Sequence, residues 1–131
     1  MNTNLKLGII ITVSVAVIIG GFVLLQTVQH AEAVKLQTFA TCIEKSGAKF
    51  YGAFWCSHCQ AQKAMFNTLF EAGSDKLPYI ECSTPDTNGQ LEICKTEGIK
   101  TYPTWKFSDG SVHEGEATFQ QLAEKTNCQI P

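Results

Sequence analysis

The feature that most constrains this chain is an uncharged apolar run at residues 7–25, near the amino terminus. Thr12 and Ser14 are its only polar side chains. As an α-helix the run would be about 28 Å long, close to the hydrocarbon thickness of a bilayer. It has no polar face with which to lie on the surface of a soluble domain. We therefore predict a transmembrane anchor at residues 7–25, preceded by a tail of residues 1–6.

A cleaved secretory signal peptide is the alternative interpretation of this segment. Ala31-Glu32-Ala33 matches the small-x-small pattern of a cleavage site, but the apolar run exceeds the usual core of a signal peptide. Lys6 lies ahead of the run and favours a cytoplasmic amino terminus. In both interpretations the rest of the chain faces an extracytoplasmic compartment (periplasmic, lumenal or extracellular). It is a single-pass membrane protein if uncleaved, and secreted if cleaved after Ala33.

A short polar stem, residues 26–35, leads to residues 36–131, which are long enough for one domain with a single core. The first predicted elements are a helix that Gly47 stops, a strand at 48–55 and a helix that begins at Cys56. One face of this second helix carries Ala61, Met65, Leu69, Phe70 and Ala72. A strand at 76–82, a helix at 90–97, a hairpin of 104–107 with 111–114 and a helix capped by Thr118 follow. Strands joined through helices imply parallel pairing, and the hairpin is antiparallel. We predict an α/β arrangement: a mixed sheet of about four strands with helices on both faces.

Charge and cysteine content narrow the class of protein. All ten basic side chains are lysines, and twelve acidic residues bring the net charge to −2. Without a basic stripe, nucleic acid is not an expected partner. All six cysteines follow the apolar run. In an exported domain this number indicates disulfides rather than a metal site.

The motif Cys56-Ser57-His58-Cys59 opens the helix that follows the aromatic strand. At a helix amino terminus, unpaired backbone N–H groups and the helix dipole favour a thiolate at Cys56. Cys59 lies one turn deeper, within disulfide reach but less exposed. This spacing predicts that Cys56 attacks a substrate disulfide and that Cys59 resolves the mixed disulfide.

Neighbours of the two cysteines are candidates for tuning and for substrate binding. Ser57 offers a hydroxyl group, and His58 can place a positive charge or an N–H group near the thiolate. A group that stabilises the thiolate stabilises the reduced form and makes the disulfide a stronger oxidant. Trp55 is expected in an apolar patch where substrate docks, whereas Phe54 and Trp105 are expected to pack in the core.

Four cysteines lie outside the motif: Cys42, Cys82, Cys94 and Cys128. We favour the pair Cys82–Cys94, a disulfide that would stabilise the folded state by roughly 3 kcal/mol through closing the loop between them. The second favoured pair is Cys42–Cys128, which joins the first helix to the end of the chain. The other two pairings stay open because spacing alone does not choose among them. As an alternative, Cys82 and Cys94 are a second redox pair that relays electrons.

The segments around the motif carry a family resemblance. Over residues 48–126 the domain resembles thioredoxin and the protein disulfide isomerase modules, through FWCSHC at 54–59, GIKTYPT at 98–104 and a hairpin that begins FSDG at 107. The strings FYGAFWC, ECSTP and YPTW resemble more narrowly the thioredoxin-like domain associated with bacterial vitamin K epoxide reductase homologues.

This resemblance implies a thiol–disulfide oxidoreductase that acts on protein thiols and disulfides. It also implies that the peptide bond between Tyr102 and Pro103 is cis. These two residues, together with Trp55, are expected to bind substrate beside the Cys56 sulfur. In the narrower family a membrane-embedded enzyme reoxidises the thioredoxin-like domain, and we expect that enzyme to be a separate protein here. Phe50 departs from the family, because thioredoxins usually carry a buried acid there that aids proton transfer. The departure favours an oxidant or a shuttle.

Two other functions are alternatives. An envelope disulfide reductase would use the same cysteines in the opposite direction. A metal-binding module would hold zinc or copper(I) through Cys56, Cys59 and two further ligands close in space. Our preferred prediction includes no metal and no cofactor.

Overall fold

The computed structural model of the chain describes residues 2–69 and 71–131. Its elements are α1 (Thr3–Lys45), β1 (Lys49–Gly52), α2 (Ser57–Ala64), a 3-10 turn (Gly73–Lys76), β2 (Tyr79–Glu81), α3 (Glu92–Thr96), β3 (Thr104–Lys106), β4 (Val112–Glu114) and α4 (Phe119–Thr126). The helices and strands follow the predicted order, with the 3-10 turn as an addition. Met1 of the predicted tail and Phe70 of the predicted helical face lie outside the described residues.

Helix α1 runs without a break through the predicted apolar run, the stem and the first domain helix. The stem continues the helix because residues 26–35 contain neither glycine nor proline. The 43 residues of α1 span about 65 Å. Its amino-terminal part is long and apolar enough to cross a membrane, and the domain buries none of this part. The buried residues of α1 lie in its carboxyl-terminal third: Ala33, Phe39, Ala40 and Ile43.

The four strands form one sheet in the order β2-β1-β3-β4. As predicted, β1 and β2 are parallel, and β3 and β4 form an antiparallel hairpin. The parallel pairing expected for β3 is wrong, because β3 is antiparallel to β1. The cause lies in α3, which has five residues and is tied through Cys94 to Cys82 at the end of β2. The chain therefore stays at that end of the sheet and re-enters it in the opposite direction.

Adjacent residues of β1 define the two faces of the sheet. Phe50 packs with residues of α1 and α4 and stacks on the buried Trp105, with ring centroids 4.6 Å apart. Tyr51 points to the opposite face and packs with Cys82 and with Cys94 of α3. Helices therefore cover both faces, which confirms the predicted α/β fold with a mixed four-stranded sheet.

Helix α2 ends at Ala64, earlier than predicted. Three residues of its predicted apolar face are exposed: Ala61, Leu69 and Ala72. The helix does not continue because the backbone N–H of Thr68 donates to the carbonyl of Glu71 at 2.9 Å and closes a local turn. The buried side chains of this segment are instead Gln62 and Phe66.

Candidate active site

Cys56 is the N-cap residue of α2, where the chain leaves the sheet. Its backbone N–H donates to the carbonyl of Ala53 at 3.0 Å and closes the turn between β1 and the helix. Its sulfur accepts the backbone N–H of Cys59 at 3.4 Å. An unpaired N–H group of the first helical turn therefore points at the sulfur, as the motif predicts.

Cys59 is the more sheltered of the two free thiols, with 1% of its surface exposed against 8% for Cys56. Burial, followed by the hydrogen bond with Cys56, raises the pKa of Cys59 to about 12. A backbone hydrogen bond with Ala53 and the charge of Lys63 oppose this rise but do not overcome it. At neutral pH Cys59 is therefore a protonated thiol, and Cys56 is the sulfur that a substrate can reach.

Gly52, the last residue of β1, allows Cys59 to approach the sheet. A Cβ atom at this position would lie 2.8 Å from the sulfur of Cys59 and 2.8 Å from Cε2 of Tyr79. Helix α2 holds the sulfur and the sheet holds the ring, so neither atom moves freely. Only a residue without a side chain fits between them.

Aromatic residues border the sulfur of Cys56 on one side. The Cys56 thiol donates to the carbonyl of Tyr102 at 3.6 Å, and the bond from Tyr102 to the buried Pro103 is cis. The indole N–H of Trp55 donates to Oγ of Ser83 at 2.7 Å, and its ring lies edge-on to Tyr102 with centroids 6.2 Å apart. Trp55 is half exposed. Trp55 and Tyr102 together form an aromatic wall beside the sulfur.

Glu81 holds the loop that precedes Cys56. Sequence reasoning missed this role because no motif includes Glu81. Its Oε1 accepts the backbone N–H groups of Phe54, Cys82 and Ser83 at 3.2, 3.1 and 2.8 Å. Its Oε2 accepts the hydroxyl of Tyr79 at 2.7 Å. With its backbone held in this way, the Phe54 side chain is 47% exposed, so its expected place in the core is wrong.

Ser57 and His58 both lie exposed on the first turn of α2. Nδ1 of His58 lies 2.7 Å from Oε1 of Glu116, in the segment between β4 and α4. Sequence reasoning missed Glu116 because the two residues are 58 positions apart and only the fold brings them together. The tuning role of His58 stays a prediction, with a carboxylate as its partner.

The other four cysteines form two disulfides, Cys42–Cys128 and Cys82–Cys94. The first joins α1 to the segment after α4, and the second closes the loop between β2 and α3. Within the part of the chain that the structure describes, no three His, Cys, Asp or Glu side chains are grouped to hold a metal ion.

This chain is similar to a known protein family and to a known plant protein. A family model described as Thioredoxin matches residues 30–127. Thiol-disulfide oxidoreductase LTO1 from Arabidopsis thaliana is 43% identical over 88 residues, which cover 64% of this chain and 22% of that protein. The matched part therefore spans about a fifth of the length of this relative.

Proposed function

The chain belongs to the thioredoxin family, and we propose that it is a thiol–disulfide oxidoreductase that exchanges disulfides with proteins through Cys56 and Cys59. The observation that carries the proposal is the asymmetry of the two sulfurs. Cys56 caps a helix, accepts an N–H group and borders an aromatic wall, whereas Cys59 is buried behind it. This arrangement suits a nucleophile and a resolving thiol.

The proposed oxidation moves two electrons from a substrate dithiol to the enzyme disulfide. A substrate thiolate bonds to the sulfur of Cys56, the Cys56–Cys59 bond breaks, and the sulfur of Cys59 takes the electron pair and then a proton from water. A second substrate thiolate attacks the first substrate sulfur, forms the substrate disulfide and releases Cys56 as a thiolate. The reverse sequence reduces a substrate disulfide.

The neighbouring residues receive roles from their positions. Those proposed to bind substrate are Trp55, Tyr102 and Pro103, and those proposed to tune the thiolate are Ser57 and His58. The aromatic wall offers apolar contact to an extended protein segment. The imidazole can carry a positive charge close to the first turn of α2.

We propose further that α1 anchors the domain on the extracytoplasmic side of a membrane. The exposed apolar length of α1 supports an anchor, and two disulfides support an oxidising compartment. Phe50, at the position where thioredoxins usually carry an acid, favours an oxidant or a shuttle. The resemblance of FYGAFWC, ECSTP and YPTW supports reoxidation by a membrane enzyme of the vitamin K epoxide reductase type.

Activity assays on the purified protein test the chemistry. We expect the disulfide form to oxidise reduced ribonuclease, and the reduced form to reduce insulin slowly. Cys56→Ala is expected to do neither. Exchange that persists at the parent rate in Cys56→Ala contradicts the proposal.

The direction of electron flow is tested separately in cells. An alkylating agent traps the free thiols of Cys56 and Cys59, and the resulting increase in the mass of the protein shows how many of them are reduced. An oxidant or shuttle is expected to keep Cys56 and Cys59 mostly as the disulfide, and to lose that state when the membrane partner is removed. A pair that is mostly dithiol in cells indicates a reductase instead.

A further inference from the structure

Lys63 follows Cys59 by one helical turn on α2 and therefore lies on the same side of the helix. Its Nζ lies 3.2 Å from the centroid of the Tyr79 ring. An ammonium group over an aromatic face is attracted by the negative face of the ring. Tyr79 thereby fixes where this positive charge lies.

The ring of Tyr79 also borders the sulfur of Cys59. A single point, the Cβ position of Gly52, lies 2.8 Å from both the sulfur and Cε2 of the ring, so these two atoms are at most twice that distance apart. The ring is held in place, because its hydroxyl donates to Glu81 at 2.7 Å and it makes an edge-to-face contact with Phe50, with ring centroids 5.1 Å apart. The ammonium, the ring and the buried sulfur therefore form one fixed cluster.

Lys63 supplies the positive charge of this cluster. Tyr79 stays a neutral phenol, since burial, then its hydrogen bond to Glu81, raises its pKa. The Glu81 carboxylate is engaged by that hydroxyl and by backbone N–H groups. Of the charged partners that act on the sulfur of Cys59, Cys56 disfavours its thiolate and Lys63 favours it.

We propose that Lys63, held over Tyr79, is the positioning residue that stabilises the thiolate of Cys59 during disulfide exchange. This inference rests on the proposed function and assigns a further residue to the same site. When a substrate sulfur bonds to Cys56, the electron pair of the broken Cys56–Cys59 bond goes to Cys59, where negative charge develops in a buried place. In the reverse step Cys59 loses its proton to water before it attacks Cys56. In both directions the ammonium stabilises the thiolate and keeps its own protons.

The experiment isolates Cys59 in a Cys56→Ala background. The rate at which a small haloacetamide alkylates Cys59, measured by mass from neutral to alkaline pH, follows the fraction of thiolate. We expect Lys63→Met to move the profile to higher pH and to slow alkylation at a fixed pH about tenfold, the equivalent of one pKa unit. Lys63→Arg keeps the charge and restores the parent profile. Lys95→Met, at an exposed lysine of α3, is the matched control and leaves the profile unchanged.

Tyrosine variants test how the charge is held. Tyr79→Leu removes the ring and is expected to shift the profile as Lys63→Met does, whereas Tyr79→Phe keeps the ring and most of the effect. An unchanged profile in a folded Lys63→Met or Lys63→Gln protein overturns the inference. Alkylation involves no substrate, so the profile tests Lys63 independently of exchange activity. The proposed function is contradicted separately, if the parent protein with both Cys56 and Cys59 neither oxidises ribonuclease nor reduces insulin.

Discussion

Nδ1 of His58 lies 2.7 Å from Oε1 of Glu116, so a carboxylate from the segment after β4 reaches the rim of the dithiol site. The two side chains are 71% and 39% exposed, and an ion pair with this exposure contributes about 0–1 kcal/mol. The contact ties the imidazole on the first turn of α2 to the segment between β4 and α4. The proposed tuning role of His58 therefore involves Glu116 as its partner.

The first prediction concerns the strength of the oxidant. We expect Glu116→Gln to lower the reduction potential of the Cys56–Cys59 disulfide by up to about 20 mV, since about 30 mV corresponds to 1.4 kcal/mol. His58→Ala is expected to lower it at least as much. Equilibration with glutathione measures both variants. In a His58→Ala background Glu116→Gln should have no such effect, and a full effect there would show that Glu116 acts without His58.

The second prediction concerns the close contact at Gly52. We expect Gly52→Ala to lower the free energy of unfolding by about 1–3 kcal/mol, because the added methyl group overlaps the sulfur of Cys59 and the Tyr79 ring. Urea unfolding measures the change. Gly89→Ala is the control, since its methyl group would meet only the side chain of Thr84 in an exposed loop. Equal unfolding midpoints for Gly52→Ala and the parent would contradict the predicted overlap.

These contacts show which parts of the site are accessible to sequence reasoning. The place of Cys56 at the start of α2 depends on residues within four positions of it, and hydrophobic spacing within each segment gives the order of helices and strands. Local spacing carries no information on residues that meet across the fold. The pairs His58–Glu116 and Lys63–Tyr79 come from different elements. They emerge only once α2 is assembled with the segment after β4 and with β2.

The two errors in the fold have the same origin. The end of α2 depends on the hydrogen bonds between Thr68 and Glu71, which compete with the helical ones. The direction of β3 follows from the short α3, which lies at the end of β2 where Cys94 is bonded to Cys82. In both cases a specific contact overrides a pattern that was locally consistent with another structure.

The third prediction is a pH dependence of stability. The pKa of Cys59 is about 12 in the folded protein, against about 9 for an ordinary thiol. Between these values the unfolded chain has lost a proton that the folded protein still binds, so stability falls as pH rises. We expect the free energy of unfolding of the reduced protein to fall more steeply between about pH 9 and 12 than that of Cys59→Ala.

Urea unfolding at a series of pH values makes this comparison. The pKa of Tyr79 is raised mainly by burial and by its hydrogen bond to Glu81, and these two causes are common to the two proteins and cancel in their difference. The oxidised protein, in which Cys59 does not titrate, is expected to follow Cys59→Ala. Equal slopes for the reduced protein and Cys59→Ala would contradict the raised pKa.

The fourth prediction concerns the fate of α1. Cleavage after Ala33 would cut inside this helix and remove residues that hold the segment after α2. Oε1 of Gln29 accepts the backbone N–H of Leu69 at 3.4 Å, and Nδ1 of His30 lies 2.6 Å from Oε1 of Glu71. We expect protein extracted from membranes with detergent to retain residues 1–33 by intact mass. A mature form that begins after Ala33 would indicate a secreted protein instead.

The last prediction separates a structural disulfide from a redox relay. Cys82 and Cys94 are fully buried, 12 positions apart, and Cys42 and Cys128 are 86 apart. In the chain-entropy relation, replacing both cysteines of a pair with alanine lowers the free energy of unfolding by about 3 kcal/mol for the shorter loop and about 4.5 kcal/mol for the longer one. Urea unfolding of the two double variants measures this difference.

The Cys82–Cys94 bond is also expected to resist reduction, because its sulfurs are shielded from solvent. We expect it to stay oxidised under a mild reductant that opens Cys56–Cys59, and mapping of the free thiols by mass spectrometry measures this. Joint reduction of the two pairs would instead favour a relay.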